Sequence, residues 1–372
     1  MTRTVVSRSG PVGVGVVGCG NISNEYLTTM SAFPDLRVVG LADLDRERAA
    51  MQASKYGIGF AGGTAELLAR DDVELVVNLT IPAVHAEVGL QAIAAGKHLW
   101  GEKPIATERE AGRALLAAAD AAGLVVGVAP DTVLGPGIQT ARRLIERGEI
   151  GTPLTALAIM QNPGPDLWHP DPAFLYSAGA GPLFDLGPYY LTTLVLFLGS
   201  VTSVAALGTR ARDVRTIRKG PKAGTEFPVE VPTHVAVLAA FESGATATIV
   251  LSFESPLRRS LIEITGSDAT LEVPDPNRFD GDSRIVRAAD EDGTVVHAEP
   301  NVHGRGLGVL DLARSIRSGV APRASGALAF HVLDVMVAVE EAIASGQPCV
   351  VASRAACPPV APDDWRATAA TL

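Results

Sequence analysis

Residues 181–193 read GPLFDLGPYYLTT, a mostly apolar run that also contains one carboxylate, Asp185, and two phenols, Tyr189 and Tyr190. A spacing of four predicts that Asp185 and Tyr189 share one face of a helix, even if Pro188 starts or kinks it. A phenol has an unperturbed pKa near ~10, and a neighbouring cation can lower that pKa enough for proton exchange with an alcohol. The pair is therefore a candidate for acid–base chemistry. The alternative for Tyr189 is a core aromatic residue with a hydrogen-bonded hydroxyl.

A glycine-containing turn, GCGNIS at 18–23, follows an apolar segment at 12–17 that is predicted to be a strand, and it opens a helical pattern. Glycines at these spacings allow a tight turn and close backbone approach to a pyrophosphate, whose charge the helix N-terminus favours. Ser23 replaces the usual third glycine, which predicts a slightly looser contact between helix and strand. Methyltransferases use a similar turn, so the motif alone does not name the chemistry. The predicted cofactor contacts here are Gly18, Gly20, Asn21, Ile22 and Ser23.

An acidic residue, Asp43, stands at the end of the second predicted strand. A carboxylate in this position accepts hydrogen bonds from ribose hydroxyls and repels a 2′-phosphate, which favours NAD over NADP. Arg46 and Arg48 follow closely, and either could pair with a phosphate, so NADP stays possible and Arg48 is a candidate cofactor contact. The alternative is that the glycines serve only the turn and Asp43 only caps a helix.

Four sequence blocks, in order, resemble the Gfo/Idh/MocA oxidoreductases, which are named for glucose–fructose oxidoreductase and inositol dehydrogenase. The resemblance spans residues 12 to 345, and its EKP block is specific in this setting whereas GxGxxS is not. The blocks are GCGNIS, then T-x-P-x-x-H at Thr80, Pro82 and His85, then AGKH…EKP ending at Pro104, and a DxGxH-like segment within 179–189.

The resemblance implies that Lys103 of the EKP block lies by the nicotinamide and the reacting hydroxyl. Lys103 comes at the C-terminal end of a predicted strand, where doubly wound folds bind ligands, and Pro104 restricts its backbone to an extended conformation. A cation beside the substrate oxygen stabilises a developing alkoxide and lowers the pKa of a neighbouring acid. Lys103 is therefore a candidate catalytic and cofactor-side residue. The other cofactor-side candidates from these blocks are Thr80, Pro82, His85 and Glu102, with core or capping duty as the alternative for His85.

The family's D-x-G-x-H segment carries an Asp and a His that face the substrate, with the His as proton acceptor. Asp185 matches the Asp, but Tyr189 stands at the His position, as in some branches of the family. The resemblance therefore implies that Tyr189 is the acid–base residue and that Asp185 orients the substrate or Lys103. Asp131 precedes Thr132 where many members show Asn and then Arg near the nicotinamide, so Asp131 is a candidate cofactor contact and the substrate is expected to be unusual.

A proline-rich stretch before this segment, Asp166 to Pro170, holds rival substrate residues. Trp168 could stack on a sugar face, and His169 could be the proton acceptor in place of Tyr189. Tyr176 is a weaker substrate candidate. The choice between Tyr189 and His169 stays open from the sequence.

The order of predicted elements indicates an α/β protein of two domains. Strands alternate with helices up to residue 131, which predicts an N-terminal Rossmann domain, residues 11–131, on a doubly wound parallel sheet. Longer strands separated by turn signals then predict a C-terminal α+β domain, residues 132–372, on an open, mostly antiparallel sheet. Residues 304–345 are predicted to be helical and to pack near the first domain. Among helix ends, Gly57 is predicted to stop the second helix and Thr64 to cap the third.

Composition limits the functional classes. At 372 residues, 47% hydrophobic and a net charge of −10, the chain reads as a compact globular protein, with no nucleic acid or membrane expected as a partner. The short basic stretch 212–222 is predicted to be an exposed loop. Three cysteines at no metal-like spacing predict reduced thiols, no metal and a cytoplasmic location. An open sheet with one polar-looking face predicts a homo-oligomer, either a dimer or a tetramer.

These observations predict an NAD-dependent dehydrogenase, with NADP possible, that acts on a ring hydroxyl of a sugar, inositol or related polyol. The substrate class comes from the resemblance. One alternative is a non-catalytic, cofactor-sensing regulator on the same fold, which the loss of the His favours and the retention of Lys103 and Asp185 opposes. The other is an NADP-dependent reductase of a dihydrodiol or ketose.

Overall fold

A computed structural model describes residues 9–300 and 304–372. The chain forms two compact units. The first comprises Met1–Leu134, Val302–Ala329 and Pro358–Leu372, and the second comprises Gly135–Asn301 and Phe330–Cys357. The sequence predicts two contiguous domains that meet after residue 131, whereas the units are discontinuous, because two later segments of the chain return to the first unit.

The first unit is built on parallel strands. The strands are β1 (Val12–Val17), β2 (Leu36–Ala42), β3 (Ala61–Gly62), β4 (Leu75–Asn78), β5 (His98–Gly101) and β6 (Val126–Val128). They form one parallel sheet in the order β3-β2-β1-β4-β5-β6, and β1 is buried along its whole length. A strand buried on both faces needs the continuous apolar run that β1 has. The predicted doubly wound sheet is confirmed.

Helices connect these strands, and their ends follow local capping chemistry. They are α1 (Ser23–Met30), α2 (Arg46–Tyr56), α3 (Thr64–Leu68), α4 (His85–Ala94) and α5 (Arg109–Ala122). The carboxylate of Asp45 accepts two backbone N–H groups at the start of α2, and Gly57 ends that helix in the left-handed region, as predicted. The predicted cap at Thr64 is wrong. Thr64 is the first residue of α3, because Gly63 precedes the helix and the Glu66 carboxylate accepts the Gly63 N–H at 2.9 Å.

The second unit begins with α6 and is dominated by strands. The helices are α6 (Pro136–Glu146), α7 (Gly181–Asp185) and α8 (Gly187–Leu198), and the strands are β7 (Pro153–Gln161), β8 (Val201–Thr209), β9 (Val214–Thr216), β10 (Glu226–Pro228), β11 (His234–Phe241), β12 (Thr246–Ser252), β13 (Arg259–Gly266), β14 (Thr270–Val273), β15 (Ser283–Arg287), β16 (Asp290–Val296) and β17 (Cys349–Val350). Nine strands form one sheet in the order β16-β15-β14-β13-β7-β12-β11-β8-β17, in which only the β7–β12 pair is parallel. The predicted open, mostly antiparallel sheet is confirmed.

One face of this sheet is covered and the other is exposed. In β7, Ala156, Ala158 and Met160 are buried, and α7 and α8 contact the sheet on β7, β11 and β12. On the exposed face, Leu207 is 74% exposed and Leu238 is 61% exposed. Alternation of this kind is what a half-covered antiparallel sheet requires.

The basic stretch 212–222 differs from its prediction as an exposed loop. It contains β9, which pairs with β10 in a separate two-stranded sheet, and the Arg215 side chain is buried. Its guanidinium lies 2.7 Å from Asp166 and 2.7 Å from Glu254. A three-residue strand between exposed charged residues is too short for its alternation to be recognised in the sequence.

The helical region predicted at 304–345 is two helices, α9 (Leu307–Ser318) and α10 (Gly326–Ser345), and Gly319 ends α9 in the left-handed region. Helix α9 belongs to the first unit. Its Arg314 Nε donates to Asp35 at 2.8 Å, and the same carboxylate accepts the backbone N–H of Thr371 at 2.8 Å. Burial opposes ionisation of Asp35, but the hydrogen bonds from Thr371 and Arg314 outweigh it and hold the pKa of Asp35 below its ordinary value.

In the part of the chain that the structure describes, no helix is both long enough and apolar enough to cross a bilayer.

Candidate functional site

The turn after β1 lies against the backbone that follows β4. Gly18 has φ +98°, and a Cβ on it would lie 2.7 Å from the carbonyl carbon and oxygen of Leu79. Both the positive φ and the close approach therefore require glycine. In this strand order β1 and β4 flank the switch point, the place where open α/β sheets bind dinucleotides.

Gly20 faces open space, since a Cβ on it would meet no atom within 4 Å. Together with the start of α1 at Ser23, this leaves room for a pyrophosphate at a helix N-terminus, and the residues fit the cofactor that the turn predicts. The Ser23 side chain is not exposed toward that space. It is completely buried, and its hydroxyl donates to the Gly20 carbonyl at 2.7 Å, so Ser23 braces the turn. Asn21 is exposed and Ile22 is half-buried.

The Asp43 carboxylate holds the same turn from the neighbouring strand. Its Oδ2 accepts the Cys19 N–H at 2.7 Å, and its Oδ1 accepts the Asp45 N–H at 2.9 Å. Arg48 lies 3.8 Å from Asp43 and 3.3 Å from Asp45. Arg46 makes two hydrogen bonds to the Glu66 carboxylate, at 2.9 and 3.1 Å. Both arginines considered as phosphate ligands are thus paired with carboxylates, which supports NAD.

The T-x-P-x-x-H block forms the loop between β4 and α4. His85 is the first residue of α4 and is 3% exposed. Its Nδ1 lies 2.7 Å from the Pro104 carbonyl oxygen and its Nε2 lies 3.0 Å from that of Thr80. Thr80 and Pro82 are half-buried. The sequence left two roles open for His85, a cofactor contact or a structural residue. In the structure both nitrogens of its ring face backbone carbonyl oxygens.

The EKP block follows β5, and its acid is engaged with protein groups. Glu102 accepts the Tyr26 hydroxyl at 2.7 Å and the Lys103 backbone N–H at 3.0 Å. The Trp100 indole donates to the same Tyr26 hydroxyl at 3.3 Å. Burial and then the Glu102 charge raise the pKa of Tyr26 well above its ordinary value, so Tyr26 acts as a neutral donor. Lys103 is half-buried.

Asp131, predicted to contact the cofactor, is completely buried at the end of β6. Its Oδ2 accepts the backbone N–H groups of Gly306 at 2.7 Å and Gly308 at 3.2 Å, where α9 begins. Burial raises the pKa of Asp131 to about 6. The carboxylate therefore caps α9, because the chain returns to this edge from far along the sequence. No local pattern around residue 131 could indicate that contact.

The first unit thus places five predicted residues at one edge of its sheet. Each follows the carboxyl end of a different parallel strand: Gly18 after β1, Asp43 after β2, Thr80 after β4, Lys103 after β5 and Asp131 after β6. Sequence reasoning missed Asn78, the last residue of β4. Its Nδ2 donates to the His85 carbonyl and its Oδ1 accepts the Thr80 hydroxyl at 2.6 Å. The sequence does offer a signal for Asn78, because it is the one polar residue at the end of the apolar strand β4.

The remaining predicted residues belong to the second unit. The single helix predicted through Asp185 and Tyr189 is two helices joined at Leu186, since Asp185 ends α7 and Gly187 begins α8. Pro188 lies in the first turn of α8, where proline is tolerated. Asp185 is half-buried, and Tyr189 is 3% exposed.

The loop before α7 holds both an exposed aromatic residue, Trp168, and a buried one, Tyr176. Trp168 is 53% exposed, and its ring meets that of His169 edge to face at 5.5 Å. Tyr176 was predicted to contact substrate, but it is completely buried and its hydroxyl donates to Asp166 at 2.5 Å. Tyr176 belongs to a buried polar cluster with Asp166 and Arg215, whose partners are too far apart in sequence to be recognised as neighbours.

Among residues 9–300 and 304–372, no three His, Cys, Asp or Glu side chains gather as a metal site. Cys19, Cys349 and Cys357 are not joined in disulfides.

Comparison with family models identifies both parts of the chain. Residues 12–129 match the model described as oxidoreductase family, NAD-binding Rossmann fold, and residues 138–272 match the GFO/IDH/MocA C-terminal domain. The chain belongs to the GFO/IDH/MocA oxidoreductase family. Its first unit is accordingly an NAD-binding Rossmann domain, and the protein is an NAD(P)-dependent oxidoreductase.

Known proteins that resemble this chain have different substrates. A dTDP-3,4-didehydro-2,6-dideoxy-alpha-D-glucose 3-reductase of Actinomadura kijaniata is 31% identical over 238 residues, 60% of this chain and 70% of that protein. Inositol 2-dehydrogenase 3 of Saccharopolyspora erythraea is 33% identical over 161 residues, 42% of this chain and 48% of that protein. The structure of levoglucosan dehydrogenase in complex with NADH and L-sorbose has a TM-score of 0.82 at 22% identity, covering 93% of this chain and 100% of that chain, and shows the shared fold.

The environment of Asp43 generates a prediction about cofactor choice. Replacing Asp43 by Ser removes the charge that repels a 2′-phosphate and releases Arg48, so NADPH should bind at least about 10-fold better relative to NADH. Dissociation constants from nicotinamide fluorescence measure this ratio without a substrate. Asp43→Asn is the matched control, because it keeps an acceptor for the Cys19 N–H. An unchanged ratio in both variants would contradict the assignment of Asp43.

Proposed function

We propose that this oxidoreductase transfers a hydride between NAD and a ring hydroxyl or ketone of a sugar, inositol or related polyol. The observation that carries the proposal is the common edge of the Rossmann sheet. There the Gly18–Ser23 turn, the Asp43 carboxylate and the half-buried Lys103 follow the carboxyl ends of β1, β2 and β5. A nucleotide turn and an amine at one such edge serve a dinucleotide and the oxygen of its reacting partner.

When bound, NAD supplies the hydride acceptor at nicotinamide C4. The backbone of Gly18 to Ile22 and the N-terminus of α1 would hold the pyrophosphate, and Asp43 the ribose hydroxyls. Asp43 keeps the capacity for this role because a carboxylate offers about four acceptor sites, of which backbone N–H groups use two. The pairing of Arg46 with Glu66 and of Arg48 with Asp43 and Asp45 supports NAD over NADP.

Three side chains are assigned to the chemistry. Lys103 polarises the substrate oxygen, Tyr189 exchanges the proton, and Asp185 orients the substrate. Tyr189 lies in the first turn of α8, where the helix dipole favours negative charge as it develops on an oxygen. Trp168 offers an exposed aromatic face for a sugar ring. His169 is the alternative proton acceptor.

The substrate class rests on the relatives, which act on a dTDP-sugar and on inositol, together with a 1,5-anhydro-D-fructose reductase and a D-apiose dehydrogenase. All of these names describe a hydroxyl or ketone on a sugar or cyclitol carbon. The three cysteines, which form no disulfide with one another, support a cytoplasmic location, which cell fractionation checks.

The first test follows the initial rate of change in nicotinamide absorbance with purified protein, NAD+ and a panel of inositols, pyranoses and glycosides. We expect reduction of NAD+ with at least one member, and a lower rate with NADP+. Lys103→Met is the control, since it should slow this change at least about 100-fold while NADH binding persists. NADH binding without turnover by any member would favour the cofactor-sensing regulator.

Tyr189→Phe tests the proton transfer. Removing the hydroxyl should lower kcat at least about 100-fold while NAD+ affinity stays the same. Tyr190→Phe is a matched control, because the adjacent, buried Tyr190 has its hydroxyl 2.8 Å from the hydroxyl of the exposed Ser260. That variant should lose about 1 kcal/mol of stability and keep its kcat within about threefold. A near-normal kcat for Tyr189→Phe would transfer the role to His169.

We also propose that the exposed face of the nine-stranded sheet joins two copies of the chain in a dimer or tetramer. Leu207 and Leu238 expose apolar area there, among small Ala, Ser and Thr side chains. Leu238→Glu should convert the oligomer to monomers in light scattering, whereas a monomeric wild-type protein would refute the assignment.

A further inference from the structure

The backbone on both sides of Lys103 is hydrogen-bonded to groups from β4 and from the start of α4. On the N-terminal side, the Glu102 N–H donates to the Asn78 carbonyl at 3.0 Å. On the C-terminal side, the Pro104 carbonyl oxygen lies 2.7 Å from Nδ1 of His85. Lys103 itself is therefore held between two anchored neighbours.

Both ring nitrogens of His85 face backbone carbonyl oxygens of the protein. The residue is 3% exposed, and its second nitrogen lies 3.0 Å from the Thr80 carbonyl oxygen. Carbonyl oxygens only accept hydrogen bonds, and a neutral imidazole carries one N–H, so the ring donates to one of the two oxygens. The Pro104 carbonyl is the closer partner, at 2.7 Å against 3.0 Å for Thr80. A buried donor whose nitrogens face two loops ties those loops together.

The backbone of His85 is itself held in place by Asn78. The His85 carbonyl accepts the Asn78 side-chain amide at 3.0 Å, and the Asn78 Oδ1 accepts the Thr80 N–H at 3.2 Å. His85 thus begins α4 from a fixed position at the end of β4. The His85 ring in turn contacts the carbonyl of Pro104, the residue after Lys103, and so links the position of Pro104 to that of β4.

We propose that His85 is a positioning residue whose hydrogen bond to the Pro104 carbonyl sets the position of Lys103. The proposal rests on the proposed role of Lys103 in polarising the substrate oxygen. It differs from a cofactor contact, because the effect passes through the backbone of Pro104. A displacement of about 1 Å at a reacting group can cost about 100-fold in rate, so such an anchor has a measurable effect.

Two substitutions separate the two contacts of the ring. Asn places its amide nitrogen close to the position of the His Nδ1, so His85→Asn can donate to the Pro104 carbonyl and loses the contact with Thr80. Gln reaches the position of Nε2, so His85→Gln keeps a contact with the Thr80 carbonyl and loses the donor to Pro104. The pair therefore tests which contact matters at nearly constant burial.

The first readout needs no substrate. The acetylation rate of Lys103 by a small acylating reagent is followed by mass spectrometry, with Lys97 as internal reference, since its amine bonds to the carbonyls of Arg70 and Val73. We expect the Lys103 rate to change at least about threefold in His85→Gln and to stay within about 1.5-fold in His85→Asn, with Lys97 unchanged in both. Equal rates for Lys103 in all three proteins, or equal changes in both variants, would overturn the proposal.

The second readout is steady-state kinetics with the substrate found above. His85→Gln should lower kcat at least about 10-fold at unchanged NAD+ affinity, and His85→Asn should stay within about threefold of wild type. Adding His85→Gln to Lys103→Met should cost less than about twofold, because the positioned amine is already gone. A multiplicative loss, or a parallel loss of NAD+ affinity, would refute the positioning role.

The outcomes also separate this proposal from the assignment of Lys103. An active Lys103→Met variant refutes the catalytic role of Lys103 and the positioning role with it. An inactive Lys103→Met variant beside a fully active His85→Gln variant refutes the positioning role alone. Should His85→Gln not fold, a 10-fold or greater loss of kcat in folded His85→Asn overturns the proposal, and a rate within about threefold supports it.

Discussion

The close approach of the turn after β1 to the backbone after β4 is the constraint on which the nucleotide-binding edge depends. Only the missing side chain of Gly18 lets the two segments lie within van der Waals distance, because a Cβ there would overlap the Leu79 carbonyl. The turn then lies where the strand order reverses direction, and α1 can begin immediately after it. The edge loops after β2, β4 and β5 are built around this contact.

Polar side chains at this edge mainly hold backbone. Asp43 binds two N–H groups of the neighbouring turns, Asp131 binds two at the start of α9, and His85 faces two carbonyls. Loops carry few regular hydrogen bonds of their own, so side chains must satisfy their backbone groups where they are buried. Protein groups thus satisfy the backbone of these loops, and preorganised donors and acceptors are what a reaction at this edge requires.

Much of this could be predicted from local sequence, because local rules produced it. The buried strands, the glycine turn, the acid after β2 and the lysine after β5 follow patterns confined to a few neighbouring residues. The contacts that local sequence could not indicate have the opposite property, because they join residues far apart in the chain. Asp131 caps a helix about 175 residues away, Tyr176 bonds within a cluster that includes Arg215, and the first unit recruits chain from beyond residue 301. The break between α7 and α8 was missed for another reason, because a single residue, Leu186, separates two short helices whose apolar patterns run together.

The attachment of residues 358–372 to Asp35 has a consequence for the order of biosynthesis. Asp35 precedes β2, and its carboxylate is buried against Arg314 and Thr371, which the ribosome adds hundreds of residues later. A buried carboxylate without its partners is costly, and these partners are synthesised after residues 135–301 of the second unit. The native environment of Asp35 can therefore form only after most of the second unit has been synthesised.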